Sequence, residues 1–285
     1  MDSRSGKRIR LGQLMVPTRG GSLIVAASHG VLRGPLPGLS TPHSISGTFA
    51  GLAGADGVMV APGMLAATED YFVGRDAPAL VIEVDWKNSG RSVYNPPGSS
   101  VVSASLATVE ECAAAGAVAV MTFLYMGHDD VRLERDEIAR NARLARECDR
   151  LGLVCIIEPR SAQEQVDRDL ANSTEVVQFY CRVAAEIGAD FVKCVWPGTA
   201  EAFARVTETC TAPVLLAGGP APEQPEGTFQ LAYDAMEAGA AGLMFGRRVY
   251  AAGHAAAMIS GLRRIVHDRC DATAALSAYR DTLGR

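Results

Sequence analysis

The sequence predicts a single (β/α)8 barrel over residues 1–285, and three observations carry the prediction. Eight short apolar runs rich in β-branched residues recur along the chain. Each is followed by a longer stretch rich in Ala, Arg and Glu. Several of those stretches end in glycine. Strands that alternate with helices give either a closed barrel or an open doubly wound sheet. No G-x-G-x-x-G opens a helix after the first strand, which argues against the dinucleotide-binding form of the open sheet.

The expected strands are Leu23–Ala27, Gly57–Val60, Ala79–Asp85, Val118–Phe123, Leu153–Glu158, Phe191–Val195, Pro213–Ala217 and Gly242–Phe245. Their near-continuous hydrophobicity is that of parallel strands covered on both faces. Amphipathic helices are expected between them, at 136–151, 176–187 and 228–238 among others. Gly116, Gly152, Gly188 and Gly239 stop helices by taking the left-handed cap conformation. Two stretches, 86–103 and 221–227, are too rich in Pro and Gly for tight connections. In a barrel both follow strands and lie on the face that carries active sites, where they act as lids or as plain insertions.

Composition narrows the functional classes. A net charge of −5 and no basic stripe speak against nucleic acid. No uncharged apolar run reaches membrane-spanning length and no signal-peptide core follows Met1, so a cytoplasmic protein without a membrane partner is expected. The seven cysteines form no C-x-x-C pair and are expected to be reduced thiols. No Cys or His spacing suggests a metal, and no cofactor is expected.

In a barrel, chemistry sits at the C-terminal strand ends. Those ends supply Ser28 and His29, Asp85 and Lys87, Tyr125 and His128, Glu158 and Arg160, and Lys193 and Trp196. The last two strands supply Gly218 with Gly219 and Gly246 with Arg247. Lys193 stands inside the apolar run Phe191–Val195. Burying an ammonium costs solvation and favours the neutral amine, the form that attacks a ketone. Nucleophilic work requires a pKa well below the ordinary lysine value of about 10.4. The alternative is a strand-end lysine in a salt bridge. The glycine turns after the seventh and eighth strands stand where this fold binds phosphate. There, backbone N–H groups, a helix N-terminus and the fork of Arg247 hold an anion; Arg248 is read as a solvated neighbour, with either arginine able to serve as the ligand. Plain turn glycines are the alternative. Glu158 is a candidate proton carrier if its pKa is raised, or a partner that holds Lys193 or Arg160 in place. Lys87 follows the third strand and either binds phosphate or a carboxylate, competes with Lys193, or simply lies in solvent.

These residues resemble the archaeal-type class I fructose-bisphosphate aldolases. The wider group includes the 2-amino-3,7-dideoxy-threo-hept-6-ulosonate synthases and the autoinducer-2 thiolase-like enzymes. The resemblance covers nearly the whole chain. It rests on Ser28-His29-Gly30 with Gly34-Pro35 and Gly38-Leu39, on Ala189–Lys193, on Ala212–Pro220, and on Asp234–Gly242 leading to Gly246-Arg247. It implies a Schiff-base aldolase whose imine forms on Lys193, with Gly218, Gly219, Gly246 and Arg247 gripping the phosphate. Lys87 and Trp196 complete the substrate-binding set. The implied partners are a phosphorylated ketone like dihydroxyacetone phosphate and an aldehyde, in a homo-oligomer.

Two departures from the family pattern matter. Ser28 stands where the family has Asp, and Glu158-Pro159 where it has Tyr-Pro. Both proton-handling positions are thus changed, with Ser28 and His29 left to contact the aldehyde side. A non-standard aldehyde partner is expected. Other lysine-imine chemistry, such as acyl transfer or condensation, and a sugar-phosphate binding protein on the same barrel are the alternatives.

Overall fold

The computed structural model describes residues 2–15, 20–89 and 101–284. Among the described residues the strands are β1 (Ser22–Ala26), β2 (Gly57–Val60), β3 (Ala79–Glu83), β4 (Asp85–Lys87), β5 (Ser103–Ser105), β6 (Ala119–Met126), β7 (Val154–Ser161), β8 (Phe191–Cys194), β9 (Val214–Ala217) and β10 (Gly242–Phe245). Eight of them close into a parallel barrel in the order β1-β10-β9-β8-β7-β6-β3-β2. The fold is therefore the (β/α)8 barrel that the alternation predicted. The helices are α1 (Ser3–Leu14), α2 (Gly30–Arg33), α3 (Pro42–Ala50), α4 (Val109–Ala114), α5 (Val131–Leu151), α6 (Arg168–Ala171), α7 (Thr174–Ile187), α8 (Ala200–Thr209), α9 (Glu226–Glu237), α10 (Arg247–Tyr250), α11 (Ala255–Val266) and α12 (Ala272–Leu283).

Side chains along each strand alternate between two cores. Leu23, Val25, Leu216 and Phe245 pack outward against the helices. Ile24, Met59, Val81, Met121, Ile156, Phe191, Leu215 and Met244 point inward and fill the barrel. The four cap glycines all have positive φ. At Gly152 a Cβ would also fall 2.7 Å from the carbonyl of Ser3, so glycine lets α1 approach the end of α5.

Three features were not expected. First, α1 covers the N-terminal end of the barrel. Its Leu14 is fully buried among the inward residues, and Lys7 bridges to Asp190 at 2.7 Å. Second, the third run stops at Glu83. The chain then leaves the barrel, and β4 pairs antiparallel with β5. Third, Asp85 turns away from the barrel mouth. It accepts hydrogen bonds from Thr122 Oγ1 at 2.6 Å and Phe123 N at 2.7 Å, and Arg140 from α5 pairs with it at 2.8 Å. Asp85 thus anchors β4 to β6 and is removed from the candidate site. The expected 86–103 stretch has residues 90–100 outside the described set. Among the described residues no helix is long and apolar enough to cross a membrane.

Leu14→Ala would leave a cavity where α1 plugs the barrel. It is expected to lower stability by about 3 kcal/mol in denaturant unfolding. An unchanged midpoint would mean that α1 adds nothing to the core.

Candidate active site

Strand alternation also decides which side chains fill the barrel mouth. Phe191 points inward, so Lys193 two residues later does too. The same count carries Ile156 to Glu158 and Arg160, Val81 to Glu83, and Ala26 to Ser28. Lys193 Nζ lies 2.7 Å from Glu158 Oε2, with the two side chains only 8% and 7% exposed. Arg160 Nη1 lies 3.6 Å from the other carboxylate oxygen of Glu158, and its Nε donates to Glu164 at 2.7 Å.

This arrangement fits the second of the two roles expected for Glu158, a partner that holds Lys193 and Arg160. Burial pushes the Glu158 carboxyl up, but Lys193, Lys87 and Arg160 outweigh burial and hold its pKa at about 2. A proton donor near neutral pH needs the opposite shift. Glu158 is an ionised anchor for Lys193. The carboxyl that does titrate near neutrality is Glu83. Burial carries it up to about 7, against the lowering effect of Lys87, the Ser28 hydroxyl and Lys193. Ser28 Oγ donates to Glu83 Oε2, and Glu83 Oε1 is buried without a partner among the described residues. Lys87 sits with its Nζ 2.9 Å from the centre of the Phe123 ring. Burial pulls its pKa down to about 8, while Glu158 and Glu83 pull it back up.

A cavity of about 830 Å³ opens above this layer. Glu158 and Lys193 line its floor, and Trp196, stacked on Phe203 at 5.4 Å, stands on one side. Gly218, Gly219, Gly246 and Arg247 line the wall after β9 and β10. Arg248 donates to the Gly218 carbonyl and ties the two turns together, so it is a structural tie and not a solvated neighbour. Arg247 keeps a buried Nε with no partner among the described residues. Gly246 has a steric reason as well: a Cβ would fall 2.6 Å from both the Ala26 carbonyl and the His29 ring. α10 has only four residues, so its dipole adds little to anion binding here.

The structure thus brings together Lys193, Glu158, His29, Trp196, Arg247 and the three glycines. Ser28 and Lys87 lie in the buried layer behind the cavity wall, and neither lines it. Tyr125 is buried and bonded to Ser89 at 2.6 Å, and neither it nor His128 lines the cavity. Sequence reading missed Arg33, Arg168 and Glu83. Arg33 and Arg168 come from short helices in the loops after β1 and β7, and nothing in local pattern marks them. Glu83 was findable, because it follows Val81 at the strand period of two.

The site is thus a buried lysine–carboxylate pair beneath an arginine-lined cavity at the mouth of a (β/α)8 barrel. Residues 23–252 match the DeoC/LacD family of aldolases, and the chain belongs to that family. It is 31% identical to the 2-amino-3,7-dideoxy-D-threo-hept-6-ulosonate synthase of Halobacterium salinarum, over 96% of each chain. It is 30% identical to the 2-amino-4,5-dihydroxy-6-oxo-7-(phosphonooxy)heptanoate synthase of Streptomyces griseus, over 86% of this chain and 84% of that one. An archaeal fructose-1,6-bisphosphate aldolase, solved with its catalytic lysine bound to a carbinolamine intermediate, superposes with a TM-score of 0.75. That match has 25% identity and covers 92% of this chain and 99% of the other.

His29 gives a pH test of the site. Burial, Lys193 and Arg247 lower its pKa from 6.5 to about 3. The unfolded chain therefore binds a proton that the folded one does not, and stability is lost as pH falls from 6.5 towards 3. The loss is on the order of a few kcal/mol. Urea unfolding at stepped pH should show it in the wild type and a flatter profile in His29→Asn. Equal slopes would place the acid sensitivity elsewhere.

Proposed function

We propose that this chain, acting as one barrel domain, is a Schiff-base aldolase that makes or breaks a carbon–carbon bond in a phosphorylated ketose. The observation that carries the reading is the buried Lys193, held by Glu158 at 2.7 Å on the floor of a cavity whose wall carries Arg247. A neutral Lys193 nitrogen attacks the ketone carbon to give a carbinolamine, which loses water to an iminium. The iminium draws in the electron pair of the neighbouring carbon–carbon bond as that bond breaks. In the forward condensation the resulting enamine attacks an aldehyde. The Glu158 carboxylate balances the positive charge of the ammonium and then of the iminium.

The phosphate end is separate. Gly218, Gly219 and Gly246 bring backbone close to the cavity, and Arg247 supplies a fork with a free Nε. Two further observations support the reading. A Streptomyces griseus relative is named for a phosphonooxy ketone product, and a solved neighbour carries a carbinolamine on its lysine. Dihydroxyacetone phosphate, or a ketone like it, is the donor that fits. The aldehyde partner differs from that of the glycolytic reaction, because Ser28 is turned to Glu83 and Glu158 is fixed as an anion.

Intact mass after borohydride reduction with dihydroxyacetone phosphate tests this. Wild type is expected to gain one reduced adduct and Lys193→Ala none. Arg247→Ala should form the adduct but need about 10- to 100-fold more ketone, the size of one lost charge-assisted hydrogen-bond pair. No wild-type adduct with this or any other ketone would leave a binding protein on an aldolase barrel.

A further inference from the structure

Forming an iminium from an ammonium and a ketone changes no net proton count, yet two protons must pass from the nitrogen to the oxygen. Lys193 gives up a proton before its nitrogen can attack. The carbinolamine hydroxyl takes one up before it can leave as water. A group near both must hold that proton in between. Glu158 is the nearest carboxylate, at 2.7 Å, but Lys193, Lys87 and Arg160 keep it ionised.

Glu83 is the second carboxylate whose charge Lys193 acts on, and it lies in the buried layer behind the cavity wall. It ends β3 and points into the mouth at the period that places Val81 in the interior. Ser28 from β1 fixes Oε2 by donating to it, which leaves Oε1 buried and unpartnered among the described residues. The two side chains meet across β2, after which the buried small residue Ala61 leaves room. The charged groups that act on Glu83 are Lys87 from β4, Glu158 from β7 and Lys193 from β8. The Phe123 ring of β6 carries the Lys87 ammonium and bears no charge itself.

We propose that Glu83, held by Ser28, is the proton store of the site: its Oε1 takes the proton that Lys193 sheds and returns it to the carbinolamine hydroxyl as water leaves. The balance closes. The ammonium keeps one hydrogen as the iminium N–H; a second passes from nitrogen to the ketone oxygen as the carbinolamine forms, and the third travels by way of Glu83, so that both leave in the water. Glu83 ends in the state in which it began. A pKa of about 7 suits this role, because the carboxyl both accepts and releases a proton near neutral pH. The proposal rests on the imine reading above and adds the group that drives imine formation.

The test follows the rate of adduct formation with dihydroxyacetone phosphate and cyanoborohydride on the full chain, between about pH 5 and about pH 9. Only ionised Glu83 can accept the proton, so the wild-type rate should rise with pH through a limb near neutrality. Glu83→Gln should reach the same Lys193 adduct in the end, but about 100-fold or more slowly and without that limb. Ser28→Ala removes a hydroxyl that stabilises the carboxylate. Its limb should move to higher pH while the final adduct stays the same. That readout is independent of whether Glu83→Gln folds. A Glu83→Gln variant with the wild-type rate and limb, or a Ser28→Ala limb that does not move, would overturn the proposal. A wild-type protein that forms no adduct overturns the imine reading itself, and the proposal falls with it.

Discussion

The ion pair between Lys193 and Glu158 exists because closing the barrel forces it. Eight strands turn every second side chain inward, and the topmost inward layer here is ionisable. Lys87, Arg160 and Lys193 face Glu83, Glu158 and Glu164 in one cluster. Charges removed from water are tolerated only when matched by opposite charges. With all six ionised the cluster is neutral. With Glu83 partly protonated near its pKa of about 7, the cluster carries a fraction of positive charge. That excess faces a cavity lined by Arg33, Arg168 and Arg247, so the floor and the wall both favour an anionic ligand.

The same geometry divides the work between the two sides of the cavity. On the anion side, the glycines answer two demands at once. Gly218 would clash with Phe245 if it had a Cβ, and Gly246 would clash with Ala26 and His29. Close packing alone therefore requires glycine there, and the open backbone beside Arg247 follows from that packing. Of the adjacent arginines, Arg248 fastens the turn through the Gly218 carbonyl, which leaves Arg247 as the arginine available to a ligand.

What the sequence revealed follows the range of the interactions involved. The strands, the glycine helix stops and the inward position of Lys193 were legible because each is set within a few residues. The plug formed by α1 was not, since Leu14 meets its partners only after the barrel closes. Asp85 closes the expected third strand, and its partners Thr122, Phe123 and Arg140, 37 to 55 residues away, show that it is a structural anchor. The sense of the Glu158 shift was not legible for the same reason. Position at a barrel mouth says that a carboxyl is buried, but the sign of its shift depends on cations from β4, β7 and β8.

The sign of that shift has a general physical origin. A carboxylate placed 2.7 Å from a buried ammonium is stabilised as an anion by the contact that makes it look catalytic. The nearest acidic group to such a lysine is thus badly placed to donate a proton while the ammonium persists. A proton carrier must be buried enough to raise its pKa and far enough from the cation to keep it raised. In this barrel the ammonium contact falls to Glu158, and Glu83 keeps a hydroxyl for its closest polar partner. The hydroxyl of Ser28 steadies the carboxyl without adding charge, whereas a second carboxylate at that position would have pushed the pKa of Glu83 still higher. A hydroxyl and not a carboxylate at position 28 therefore keeps Glu83 within reach of neutral pH.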